Sequence, residues 1–175
     1  MSAPTRIAVV SAGLSVPSST RILADLIAEA TVSRLRAAGA EVEVDVIELR
    51  PLAHALADNL LTGFPAGALA DAVERVRRAD ALITVSPVFS ASYSGLFKSF
   101  FDVLEPELLV GKPVLLAATA GTARHSLVLE HALRPLFSYL KATPVPTAVF
   151  AASEDFGSGA VDSRLAGRVD RAATE

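Results

Sequence analysis

Short apolar runs alternate with helix-length segments from one end of this chain to the other, and that alternation constrains the fold more than any single motif. Strand-like runs occupy residues 7–10, 41–49, 81–85, 113–118 and 144–151. The run at 81–85, Ala-Leu-Ile-Thr-Val, has the continuous apolar character of a strand covered on both faces. The run at 41–49 alternates charged and apolar residues with period two, which predicts a half-exposed strand near a sheet edge. Helices are predicted over residues 18–38, 68–79, 95–104, about 124–140 and 161–173, with Gly39 ending the first. Residues 51–67, punctuated by Pro51, Gly63, Pro65 and Gly67, are expected to be irregular, and residues 87–94 and 119–122 to be loops. Five strands alternating with five helices imply an α/β three-layer sandwich. Its core is a five-stranded parallel sheet of order 2-1-3-4-5, with right-handed crossovers and helices on both faces.

Composition sets the outer bounds. With 175 residues, the chain is sized for one domain over residues 1–175, and 51% hydrophobic residues are enough for a full core. A net charge of −3 gives no electrostatic reason to expect nucleic acid. The absence of cysteine excludes disulfides, thiolate catalysis and Cys-type zinc sites. No apolar run approaches the ~18 residues of a membrane span. Residues 1–6 lead straight into the first strand without a signal pattern, so a cytoplasmic protein is expected.

In an open parallel sheet of this order, ligands sit beyond the carboxyl ends of the strands, where strands one and three diverge. Three loops should converge there. The first, residues 11–20, carries Ser11, Ser15, Ser18, Ser19 and Thr20 and opens directly into a helix. A helix N-terminus has unpaired N–H groups and the positive end of the macrodipole, so it attracts phosphate. An ordinary N-cap would need one hydroxyl, and this loop supplies five. It has neither the Gly-Lys-Ser/Thr ending of a Walker A loop nor a Gly-x-Gly-x-x-Gly fingerprint. The second loop, Ser86 to Gly95, is stiffened by Pro87 and offers the rings of Phe89 and Tyr93. It fits either a ligand-facing segment or a capped helix entry with two core aromatics. The third, Ala118 to His125, is built of small residues that allow close backbone approach. It also fits a plain strand-to-helix turn with Thr122 as N-cap and His125 on the surface. Phe97, Phe100, Phe101 and Leu104 follow i, i+3, i+4, i+7 spacing and read as core. Leu96 and Val103 lie on another side of that helix and suggest a dimer contact.

Taken together, the three loops resemble those of the NADPH-dependent FMN reductases, of the flavodoxin-like superfamily. The resemblance covers about residues 6–156. Ser11-Ala12-Gly13-Leu14-Ser15-Val16-Pro17-Ser18-Ser19-Thr20 follows that family's Ser-Gly-Ser-x-x-x-Pro-Ser-x-Ser/Thr loop. Ser86-Pro87-Val88-Phe89-Ser90-Ala91-Ser92-Tyr93-Ser94-Gly95-Leu96-Phe97-Lys98 follows its Thr-Pro-Val-Tyr-x-x-Ser-Tyr-Ser/Thr-Gly-x-x-Lys segment. Ala118-Thr119-Ala120-Gly121 follows its Ala-Thr-Gly-Gly loop, with His125 soon after. The resemblance is strongest to actinobacterial reductases that partner luciferase-like monooxygenases.

The resemblance implies an NAD(P)H:FMN oxidoreductase with FMN as flavin and NADPH or NADH as donor. It assigns the FMN phosphate to Ser11, Ser18, Ser19 and Thr20. The isoalloxazine edge goes to Pro87, Val88, Phe89 and Ser90, and its other side to Thr119, Ala120 and Gly121. It implies a homodimer or homotetramer, and no side chain acting as catalytic acid or base. The flavin-retaining quinone or azo reductase and the flavodoxin-like electron carrier are its alternatives. In two places the chain departs from the family pattern. Ala12-Gly13 stands where Gly-Ser is usual, and Ser15 where some members have arginine, which implies looser FMN retention. Phe89 replaces a frequent tyrosine and removes its hydroxyl.

Overall fold

The structure, a computed structural model, describes residues 3–157 and 161–175. Met1 and Ser2, the start of the stretch read as leading into the first strand, lie outside the described residues. The elements run β1 (Thr5–Ser11), α1 (Ser19–Ala37), β2 (Val42–Glu48), α2 (Ala53–Thr62), α3 (Ala68–Arg78), β3 (Ala81–Phe89), β4 (Ser92–Tyr93) and α4 (Gly95–Asp102). They continue with β5 (Pro113–Ala120), α5 (Arg134–Tyr139), β6 (Thr143–Pro144), β7 (Val149–Ala152) and α6 (Ser163–Thr174). The sheet order is β2-β1-β3-β5-β6, with β7 also paired to β5 and all of these pairs parallel. This is the expected 2-1-3-4-5 sheet, its last strand delivered in two pieces. The run predicted as one strand over 144–151 contains Pro144 and Pro146, which supply no N–H to a ladder, and pairing lapses between β6 and β7.

Side chains along the central strands divide between two cores, which is why their sequences are apolar without alternation. Ala8, Val10, Leu82, Val114, Leu116 and Ala118 join one core with α2, α3, α4 and α5. Ile7, Val9, Ile83, Val85, Leu115 and Ala117 join the other with α1 and α6. β2 is an edge strand whose only buried residue is Ile47. Phe97, Phe100 and Phe101 are fully buried, and Phe137 packs edge-on to Phe101 at 4.9 Å, so the aromatic stripe is core. Leu96 and Val103, read as a second apolar side near a dimer contact, are half-buried against that same core.

Three local differences from the sequence expectation have identifiable causes. The segment 51–67, expected to be irregular, holds the ten-residue helix α2. Pro51 sits in a 3₁₀ turn that leads into it, and Gly63 closes it at φ +81°. These are the start and stop positions each residue favours. The helix predicted over 124–140 begins as a 3₁₀ turn at Ala123–His125, and α5 proper is preceded by a π-helical turn at Leu129–Leu133. Pro135 lacks the N–H that would reach His131 and its ring crowds that carbonyl, so the turn before it widens. Finally, β3 runs on through Pro87 to Phe89 and folds back into β4, where a loop was expected.

Candidate functional site

At the carboxyl edge of the sheet, β1 passes into residues 12–18 and then into α1. Ser18 is the N-cap, its Oγ accepting the Arg21 N–H at 3.2 Å. The Ser19 and Thr20 amides, in the first turn, have no intrahelical acceptor. Gly13 folds against this cap so closely that a Cβ would stand 2.0 Å from Ser18 Oγ. The loop's path therefore depends on a residue without a side chain there.

Two further segments meet it. β3 and β4 form a hairpin with a two-residue turn, Ser90 at φ +48° and Ala91 at φ +70°. Both central residues take the left-handed conformation that a tight hairpin needs, at a cost of about 1–2 kcal/mol each for a residue with a Cβ. The fully buried Ser86 Oγ closes the base of the hairpin, accepting the Ser94 N–H at 2.9 Å and donating to the Pro87 carbonyl at 2.8 Å. Tyr93 turns inward onto Phe97, while Phe89 is half exposed. The two aromatics of this segment thus divide between the core and the site. The third segment is the end of β5. The buried Thr119 and Thr20 hydroxyls lie 2.9 Å apart and tie the third loop to the first turn of α1.

Between these segments lies an open cleft of about 280 Å³, lined by Leu14, Ser15, Ser19, Thr20, Pro87, Val88, Phe89, Thr119, Ala120, Gly121 and Ser153. Eight residues expected at the site meet here: Ser19, Thr20, Pro87, Val88, Phe89, Thr119, Ala120 and Gly121. Ser11 is buried at the end of β1, where its carbonyl accepts the Leu49 N–H. Ser18 acts one layer behind, through the cap, and Ser90 stands exposed at the hairpin tip. His125 is exposed in its 3₁₀ turn and does not line the cleft. Sequence reasoning missed Leu14 and Ser153. Ser153 follows β7 directly, so the strand-end rule applied to the last strand would have found it. A larger cavity of about 510 Å³ lies between β7 and the first turns of α6 among Arg164, Arg168 and Arg171, and none of the residues of the three converging loops lines it.

Among the described residues, no ionisable side chain lines the cleft. Its polar character comes from hydroxyls, backbone groups and the positive end of α1, which suit a phosphate at one end. Its walls of small residues and the Phe89 ring suit a flat, largely apolar body at the other. Arg21, one residue past Thr20, does not enter it. Its guanidinium is held by Asp25 at 2.8 Å and Glu48 at 3.2 Å, and the Asp25 hydrogen bond in particular raises its pKa above the ordinary value.

A doubly wound parallel sheet with an uncharged cleft at its switch point, one end of it a helix N-terminus, defines a flavodoxin-like mononucleotide-binding protein. The family model "NADPH-dependent FMN reductase" matches residues 5–157, and the chain belongs to that family. Membership makes it an NAD(P)H:FMN oxidoreductase. It is similar to an FMN reductase (NADPH) of Pseudomonas aeruginosa, 39% identical over 89% of this chain and 81% of that one. It is also similar to the NADH-dependent FMN reductase SfnE of Pseudomonas putida, 38% identical over 99% of this chain and 91% of that one. An oxidoreductase structure from Corynebacterium diphtheriae superposes with a TM-score of 0.94 at 47% identity, covering 99% of this chain and 94% of that one. Among the described residues no helix is long and apolar enough to cross a membrane.

Proposed function

We propose that this chain takes FMN as an exchangeable substrate, reduces it with NADPH or NADH, and hands the reduced flavin to a flavin-dependent monooxygenase in the cytoplasm. The observation that carries this reading is the uncharged phosphate end of the cleft. Ser15 lines it where some family members have arginine, and Arg21 is engaged elsewhere. A hydrogen bond to a charged group is worth about 1.5–3 kcal/mol. Without one guanidinium–phosphate contact, affinity falls roughly 10- to 150-fold.

In this reading Ser19 and Thr20, with their first-turn N–H groups, hold the phosphate. Ser18 and Gly13 shape the turn that presents them. The Pro87–Phe89 backbone holds the ring edge, and Thr119, Ala120 and Gly121 close the opposite side. Bound FMN would supply the hydride-accepting chemistry, and the protein would supply its position. Exposed Leu61 and Phe64 at the end of α2 support a homodimer or homotetramer, tested by sedimentation.

The deciding experiment is desalting followed by FMN titration and steady-state NAD(P)H oxidation with and without added FMN. The expected result is flavin-free protein whose turnover saturates with added FMN. Flavin kept through turnover, with quinone or azo dye as acceptor, would replace this reading with that of a retained-flavin reductase. Bound FMN with no NAD(P)H oxidation would leave an electron carrier.

A further inference from the structure

We propose that Asp25 and Glu48 act as a latch that withholds Arg21 from the phosphate end of the cleft and so sets how readily FMN leaves; this rests on the functional reading above. Arg21 occupies the third position of α1, directly after Thr20, which lines the cleft. Side chains on a helix lean toward its N-terminus, so an unrestrained arginine here leans toward the cap and the phosphate end. Instead it reaches a full turn forward to Asp25 and sideways to Glu48. Glu48 ends β2 in register with Ser11, the last residue of β1. The latch carboxylate therefore stands at the same carboxyl edge of the sheet as the cleft.

Helix economy does not account for this arrangement. A cation in the first turn opposes the helix dipole, and an arginine placed N-terminal to its acidic i+4 partner is the weaker orientation of such pairs. The three side chains are also substantially exposed, at 35%, 44% and 52%. Exposed pairs of this kind are individually weak. A phosphate could compete with one carboxylate for the guanidinium. Against two, recruiting the guanidinium means breaking both pairs, which offsets much of what its contact with the phosphate would add and leaves the hydroxyls and amides as the main hold on FMN. The consequence is a site able to bind the flavin and let it go.

The test is a mutant cycle read by FMN fluorescence quenching on flavin-free protein. Neutralising both carboxylates (Asp25→Asn with Glu48→Gln) should tighten FMN about tenfold or more, as a freed charge-assisted contact would. The same pair of changes in an Arg21→Gln background should alter the dissociation constant by about twofold or less, and Arg21→Gln alone should stay within about twofold of the parent. Riboflavin, which lacks the phosphate, should bind equally to all four proteins. An unchanged constant in the doubly neutralised protein would overturn the latch. So would equal tightening without Arg21, which would make the effect one of overall field, or weakening of about fivefold or more by Arg21→Gln alone. If no form binds FMN, the functional reading fails and the latch with it; FMN binding that ignores Arg21 removes the latch alone.

Discussion

Replacing Gly13 with alanine puts a methyl group 2.0 Å from Ser18 Oγ, 3.1 Å from Ser18 Cβ and 3.2 Å from Thr20 Cβ. The first contact is impossible, so the Ser18 hydroxyl must leave its place and the cap bond from Arg21 N–H goes with it. A lost serine cap costs about 1 kcal/mol. Easing the two remaining carbon contacts by a few tenths of an ångström adds about another 1 kcal/mol of packing strain. The sum, about 2 kcal/mol, corresponds to a fall in Tm of roughly 4–8 °C for a chain of this size. Ser18→Ala should cost about 1 kcal/mol by itself. It also removes the clashing oxygen, so Gly13→Ala in that background should cost about 1 kcal/mol rather than 2, a coupling of about 1 kcal/mol. Urea unfolding of the four proteins measures it. Additivity within about 0.3–0.5 kcal/mol would refute the steric argument. FMN titration of Gly13→Ala should show affinity weakened roughly tenfold, because the first-turn amides move with the cap.

Two other expectations follow from single side chains. Ser86→Ala leaves the buried Ser94 N–H without an acceptor, which should cost about 1–3 kcal/mol, and it loosens the hairpin that presents Pro87, Val88 and Phe89. Its KM for FMN should rise while Ser86→Thr stays near the parent, and a stability loss with unchanged KM would make Ser86 structural only. The Glu130 carboxyl is held below its usual range chiefly by its hydrogen bond from Arg134, at 2.6 Å. A carboxylate with a lowered folded pKa stabilises the fold above the ordinary carboxylate pKa of about 4.3 and loses that contribution as pH falls toward the lowered value. Glu130→Gln should therefore flatten the acid side of the stability profile, measured by urea unfolding between about pH 3 and pH 6, and the effect should be modest because the side chain is half exposed.

Much of the site is legible in the sequence because its logic is local. A strand end, a run of hydroxyls and a helix start together point to an anion site, and the strand-end rule then brings Pro87–Phe89 and Thr119–Gly121 to the same cleft. The same local reading took the prolines and glycines of 51–67 for irregularity when two of them punctuate α2, whose buried Leu56 and Asn59 face inward. It gave no warning of the hairpin at Ser90–Ala91, since neither residue is the glycine or asparagine such turns usually carry.

The sequence by itself determined the alternation of strands and helices, and with it a parallel sheet whose carboxyl edge takes the ligand, because apolar periodicity is a property of consecutive residues; the order 2-1-3-4-5 fitted the count and length of the elements, and the strand pairing established it. Only the tertiary structure decided which groups face that ligand. Gly13 is required by a neighbour five residues away, Thr20 is fixed by Thr119 from another strand, and Arg21, one residue from the cleft, is turned from it by Asp25 and Glu48. The direction of a long charged side chain depends on which opposite charge the fold brings within about 4 Å, and no window of sequence contains that distance.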